Sequence, residues 1–192
     1  MKSNETSNQW EIAIRFFFLS IIGLGLLYPL SVTGLAQSLF PFKANGSLVV
    51  FQGNVIGSEL LAQKINTESL FLYRPSAANY HTLPSGASNL SPSSFDLKTL
   101  VEKRKFDLET LGIDSQVCSE LLYGSGSGLD PHISVGCAKE QAFYLSRKFN
   151  FPLKVLNELI NKNTEYPILG IFGTERVNVT KLNVSWKEMK YE

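Results

Sequence analysis

The apolar residues of this chain are unevenly distributed. From Phe16 to Phe42 there is no Asp, Glu, Lys or Arg, a run of 27 residues. Within it, Phe16 to Leu35 carries twelve Phe, Leu, Ile or Val residues. As a helix, about 20 residues at ~1.5 Å each cross the ~30 Å hydrocarbon layer of a bilayer. Those twelve side chains favour insertion by about 4–7 kcal/mol, which the interspersed Gly, Ser, Thr and Pro partly offset. The pattern therefore predicts a transmembrane helix over 16–36, a short N-terminal segment over 1–15 and a separate body over 43–192. Pro29 is expected to kink or end the helix. Gly23 and Gly25 offer small faces for packing against other membrane helices.

Beyond residue 43 the apolar positions alternate with polar ones in short runs. Leu48–Phe51 and Val55-Ile56 around Gln52-Gly53-Asn54 predict a β-hairpin. Leu60, Leu61 and Ile65 suit a short helix over Glu59–Ile65. Leu70–Tyr73, Val117–Tyr123 and Ile168–Phe172 read as strands, the last of them buried. A helix is predicted from Ser94 or Asp96 to Leu111, with Leu97, Leu100, Val101, Leu108 and Leu111 inward and Gly112 ending it. Ser134 is the expected cap of a helix to Phe149, with Val135, Ala138, Ala142, Leu145 and Phe149 inward. Pro152 opens another, carrying Val155, Leu156, Leu159 and Ile160. Val177–Val179 and Leu182–Trp186 both alternate, with a change of phase at Thr180-Lys181 that fits a bulged strand. Residues 76–94 are a long loop of the kind that often carries function. Strands flanking grouped helices make the body an α+β domain.

Charge narrows the function. The chain has 18 Lys+Arg against 17 Asp+Glu, a net charge of +1. That balance leaves no electrostatic footprint for nucleic acid. Lys2, Arg15 and the α-amine flank one end of the apolar run and Lys43 the other. The positive-inside rule then puts the N-terminus in the cytoplasm and the body outside. A cleaved signal peptide, releasing an exported soluble protein after Ala36, is the competing reading. Its charged leader would be fifteen residues long and would contain Glu5 and Glu11, which argues for a retained anchor.

Two constellations invite chemistry. Gly124-Ser125-Gly126-Ser127-Gly128 could cradle an anion with its backbone N–H groups. Its G-x-G-x-G spacing puts Leu129 where a dinucleotide fingerprint needs glycine, and no Gly-Lys-Ser/Thr follows. Ser125 and Ser127 beside Asp130 and His132 suggest a membrane-tethered Ser hydrolase. A nucleophile elbow has serine at the centre of its glycines, whereas Gly126 is at the centre here. A tight turn, with Asp130-Pro131 and His132 bonding locally, is the simpler account. Cys118 and Cys137 flank the loop. An external body permits a disulfide and a cytoplasmic one favours thiols. Both lie on segments expected to face the core, so free thiols are expected.

In sequence order, Tyr28-Pro29-Leu30, Phe40-Pro41, Ala44–Leu48, Gly53–Leu61, Arg74–Ala77, Ser88–Leu90, Ser125–Ser134, Arg176–Val179 and Leu182-Asn183 resemble the C-subunit family of the Kdp potassium-transporting ATPases. The resemblance spans nearly the whole chain. Ser91, Phe95, Cys137 and the segment 101–120 depart from the family's usual residues and leave the order of motifs intact. The resemblance implies a single-pass accessory subunit that neither conducts potassium nor hydrolyses ATP. It implies two partners, a channel-like potassium-binding subunit and a P-type ATPase subunit. It also implies a role in assembly or a chaperone-like increase in ATP affinity, whereas a body outside the cell suits a cap over the external ion entry or a brace. Any ATP contact would come through the ATPase partner, with Ser125, Gly126, Ser127, Gly128, Asp130, His132 and Gln141 as the residues to meet it. No metal site or catalytic residue is implied.

Overall fold

The structure is a computed structural model and describes residues 3–65 and 68–191. Lys2, which contributes to the charge asymmetry, lies outside the described residues. The chain divides into two units, Met1–Ser47 and Leu48–Glu192.

The first unit is helical. Helix α1 (Ser3–Ser20) leads into a π-helical stretch, Ile21–Leu27, and then into α2 (Tyr28–Leu39). Asn8–Leu39 forms a helix of 32 residues that is long and apolar enough to cross a membrane. Arg15 lies 3.5 Å from Glu11, one turn earlier, so the charges beside the apolar run partly neutralise each other. Pro29 does not end the helix. A proline lacks an N–H, and its ring collides with the carbonyl four residues back in regular α winding. Here the preceding turn is widened, and the Tyr28 N–H donates to the Gly23 carbonyl five residues back. Pro29 then falls in the first turn of α2, where a missing N–H costs nothing. The short helix α3 (Pro41–Ala44) closes this unit.

The second unit opens with a hairpin of β1 (Leu48–Phe51) and β2 (Asn54–Ser58), bulged between Val49 and Val50. Gln52 and Gly53 both have positive φ, 50° and 79°, the mirror-image turn that matches strand twist. Helix α4 (Phe95–Leu111) starts where expected, because the Ser94 side chain accepts the Leu97 N–H, and stops at left-handed Gly112. Of its predicted inward face only Leu108 is buried, and Leu100 is exposed. Helices α5 (Val135–Phe149) and α6 (Leu153–Lys162) pack together as their periodicity requires. They bury Ala138, Ala142, Leu145, Leu156, Leu159 and Ile160. A small antiparallel sheet has β5 (Arg176–Asn178) between β3 (His132–Ile133) and β4 (Thr164–Glu165).

The change of phase at Thr180-Lys181 marks a strand turning into a helix, not a bulge. Helix α7 (Val179–Tyr191) follows β5 without a loop. Asn178 makes the switch, since its Oδ1 accepts the N–H groups of Thr180 at 3.1 Å and Lys181 at 3.2 Å. Val179, Leu182 and Trp186 then fall on one helical face and are buried.

Other expectations fail for local reasons. Glu59–Ile65 is a turn and extended chain, its Ala62 N–H tied to the Leu129 carbonyl. Val117–Tyr123 contains a single 3-10 turn, Ser119–Leu121, and no strand. Ile168–Phe172 is an exposed reverse turn between β4 and β5. Cys118 and Cys137 are not free thiols. They form a fully buried disulfide joining that 3-10 turn to the first turn of α5.

Leu70–Tyr73 is extended but pairs with no strand. Its backbone is satisfied by side chains. The Phe71 N–H donates to Asn183 Oδ1 at 2.8 Å, and Asn183 Nδ2 donates back to the Phe71 carbonyl at 2.9 Å. Gln141 does the same for Leu72, accepting its N–H at 2.6 Å and donating to its carbonyl at 3.4 Å. Trp186 Nε1 donates to the Ser69 carbonyl at 2.9 Å. Replacing Asn183 by Leu leaves two buried backbone groups of Phe71 unpaired. The expected loss is about 2–4 kcal/mol, or about 5–15 °C in Tm of the detergent-solubilised full chain. An unchanged Tm would show that the clip carries no stability.

Candidate functional site

The most specific sequence motifs converge on one side of the second unit. The loop after Arg74 folds back on Ser76, whose Oγ accepts the N–H groups of Ala78 and Tyr80. The Tyr80 hydroxyl in turn donates to the Arg74 carbonyl at 3.0 Å. The glycine loop docks against this turn, with the Ser125 N–H donating to the Pro75 carbonyl. Gly128 is required twice over. Its φ is +71°, and a Cβ there would come within 3.0 Å of the Gly86 carbonyl and 3.1 Å of Ser76 Oγ.

Below the loop runs a line of paired acidic and basic side chains. Arg74 Nη1 pairs with Asp130 Oδ2 at 3.1 Å. Asp130 Oδ1 meets His132 Nδ1 at 3.1 Å and also accepts the His132 N–H at 3.0 Å. His132 Nε2 lies 3.5 Å from Glu165 Oε2, which also accepts Arg176 Nε at 2.9 Å. Lys181 completes the line between Glu165 and Glu59, 2.9 Å from the latter. The His132 hydrogen bonds, with the Arg74 charge behind them, hold the Asp130 carboxyl below its ordinary range, against the opposing effect of partial burial.

This geometry decides what the loop can do. Both ring nitrogens of His132 face carboxylates, so neither is placed to take a proton from Ser125 or Ser127. Ser125 is buried, and Ser127 Oγ accepts the Leu129 N–H. The Ser-hydrolase reading therefore has no base. A triphosphate fits poorly as well. The N–H groups of Ser125, Gly128, Leu129 and Asp130 all donate within the protein. The adjoining cleft of about 410 Å³ is lined by Leu60, Leu61, Leu129, Pro131 and the loop, with no Lys or Arg. Gln141 is buried, and its amide holds Leu72. The residues present do not form a cradle for ATP. Among the described residues no group of His, Cys, Asp and Glu is arranged to hold a metal ion.

A wider cleft of about 840 Å³ lies between the 77–90 loop and α4. Leu83 stands at its rim, 90% exposed. At Gly23 an added Cβ would meet nothing within 4 Å, and at Gly25 only Ile21 at 4.0 Å, so both glycines present open surface within the first unit.

Glu59, Glu165 and Lys181 were not legible as site residues. They arrive from three different segments, and no spacing in the sequence joins them.

The sequence matches the family described as "KdpC: K+-transporting ATPase, c chain" over residues 10–188. The chain belongs to the KdpC family. It is 43% identical over 182 residues to the potassium-transporting ATPase KdpC subunit of Synechocystis sp., covering 91% of this chain and 95% of that one. It is 39% identical to the same subunit of Caldanaerobacter subterraneus subsp. tengcongensis, covering 91% and 92%. The Leptospira interrogans subunit is 41% identical, covering 91% and 90%. Membership makes the chain a subunit of a potassium-transporting ATPase complex. The family match also takes in the apolar helix from residue 10 onward.

Asp130 provides a direct probe of the charged line. A carboxyl depressed in the folded state adds stability above its unfolded pKa, about 3.9, and loses it as pH falls through the folded value. Asp130→Asn should lower stability by about 1 kcal/mol at pH 7. The gap to the unsubstituted chain should narrow below about pH 4. Parallel pH–Tm curves for the two chains would show that Asp130 carries none of this dependence.

Proposed function

We propose that the chain is a non-conducting accessory subunit of an ATP-driven potassium uptake complex. One N-terminal helix anchors it, and its α+β body lies outside the membrane. The observation that carries this reading is the buried Cys118–Cys137 disulfide. Disulfides persist in oxidising compartments and are rare in the cytosol. The larger number of Lys and Arg residues on the N-terminal flank, Lys2 and Arg15 against Lys43 on the other, supports the same orientation. The inclusion of the apolar helix in the family match supports a retained anchor over a cleaved signal.

An external body braces the complex or caps the ion entry of a channel-like potassium-binding subunit. ATP hydrolysis and ion conduction then belong to the P-type ATPase subunit and the channel-like partner. With the body outside, an effect on ATP affinity reaches the nucleotide through these partners. The loop around Ser125, Gly126, Ser127, Gly128, Asp130 and His132 serves as a surface toward a partner protein in this reading.

Sidedness tests the proposal. The native cysteines are paired, so Leu83→Cys or Lys154→Cys supplies the only free thiol, each at an exposed position. A membrane-impermeant maleimide should label both on intact cells. Labelling of both only after lysis would place the body inside, and a direct role in nucleotide affinity would replace the brace. The anchor has its own test. Gly23→Leu with Gly25→Leu should reduce copurification with the partner subunits several-fold. Unchanged copurification would remove both glycine positions from the interface.

A further inference from the structure

The charge-free run from Tyr166 to Thr174 separates Glu165 of β4 from Glu175 and Arg176 at the start of β5. A run of this composition normally enters the core. This one projects from the small sheet as a closed turn. Ile168 is 71% exposed, Leu169 83%, Ile171 77% and Phe172 67%. At the apex Leu169 has a φ of +55° and Gly170 of +72°. A leucine is rarely held in that left-handed conformation, and here it is the residue at the exposed tip.

The turn closes its own hydrogen bonds. Ile168 and Phe172 exchange N–H to carbonyl bonds at 3.0 Å in both directions. The Gly170 N–H donates to the Pro167 carbonyl and the Ile171 N–H to the Ile168 carbonyl. Four N–H groups of the tip therefore need no outside partner. Internal closure of this kind is the condition for placing backbone in an apolar phase that offers no hydrogen bonds. Tyr166, exposed at the base, has the amphipathic ring favoured at a membrane–water boundary, with charged Glu165, Glu175 and Arg176 beyond it.

Connectivity supplies the occupant. Eight residues separate Leu39, the last residue of the apolar helix, from Leu48 of the body. With Pro41–Ala44 helical, they reach about 20–25 Å at most. The first residue of the body, Leu48, is therefore tethered within that distance of a bilayer that holds the helix. The body has a radius of gyration of about 15 Å for its length. We propose that the Tyr166–Gly173 turn is a lipid-surface contact, seating Leu169 and Ile171 at the boundary of headgroups and acyl chains.

This proposal rests on the membrane-anchored reading, so the experiment reports the two separately. The complex carrying Leu169→Cys, or Ile171→Cys as a second position, is labelled with an environment-sensitive fluorophore and reconstituted in vesicles of phosphatidylethanolamine and phosphatidylglycerol. Resistance to alkaline carbonate extraction reports the anchor alone. Quenching of the fluorophore reports the tip. The expected result is blue-shifted emission, at least two-fold stronger quenching by nitroxides on shallow acyl positions than by deep ones, and weak quenching by iodide. Full access to iodide overturns the proposal. Protection from both iodide and lipid nitroxides also overturns it, and assigns the tip to a protein partner.

Discussion

An extended peptide that is buried but unpaired with any strand is the constraint around which the body is arranged. Phe71 is fully buried, and burial of backbone polar groups without partners costs more than most single contacts return. The solution is to let carboxamide side chains stand in for neighbouring strands. Gln141 from α5 and Asn183 from α7 each present a donor and an acceptor in the geometry of a peptide group. The two helices are thereby fixed against a common segment, and Trp186 packs edge-on to Phe151 beside it, ring centroids 5.0 Å apart. Neither carboxamide can be replaced by an apolar side chain of similar size without stranding main-chain groups.

The charged line is a different kind of connection. Each of its pairs is partly exposed, and such pairs contribute about 0–1 kcal/mol each. Its value is positional. Arg74, Asp130, His132, Glu165, Arg176, Lys181 and Glu59 lie on segments far apart in sequence, and the line sets them side by side under the glycine loop. That arrangement suits a surface whose shape must be kept more than one that performs chemistry. The same histidine that would have served a hydrolase is held between two carboxylates instead.

Local signals were legible in the sequence. The apolar run, the Ser94 and Ser134 caps, the stop at Gly112 and the hairpin at Gln52-Gly53 each depend on residues within one or two turns of each other. Failures came where distant residues decide. Leu70–Tyr73 has the composition of a strand, but its partners are side chains 69 and 112 residues away. Leu182–Trp186 alternates like a strand only because polar Asn183 lies inward among apolar neighbours, and that inward turn is explained by Phe71. Ile168–Phe172 has the composition of a core strand and lies outside because its turn closes on itself. The pairing of Cys118 with Cys137 depends on how the 3-10 turn meets α5, which no spacing encodes.

The widened turn at Ile21–Leu27 alters how the apolar helix must be read. A π-helical turn takes in one extra residue, which rotates everything downstream by about 100° relative to an unbroken 3.6-residue spiral. Gly23 and Gly34 are eleven residues apart, a spacing that would stack them on one stripe of a straight helix. The widened turn, within which Gly23 itself lies, takes them off that common stripe. The helix thus has two offset keyways, one before the proline and one after it, and a neighbour that fits the first does not run on into the second.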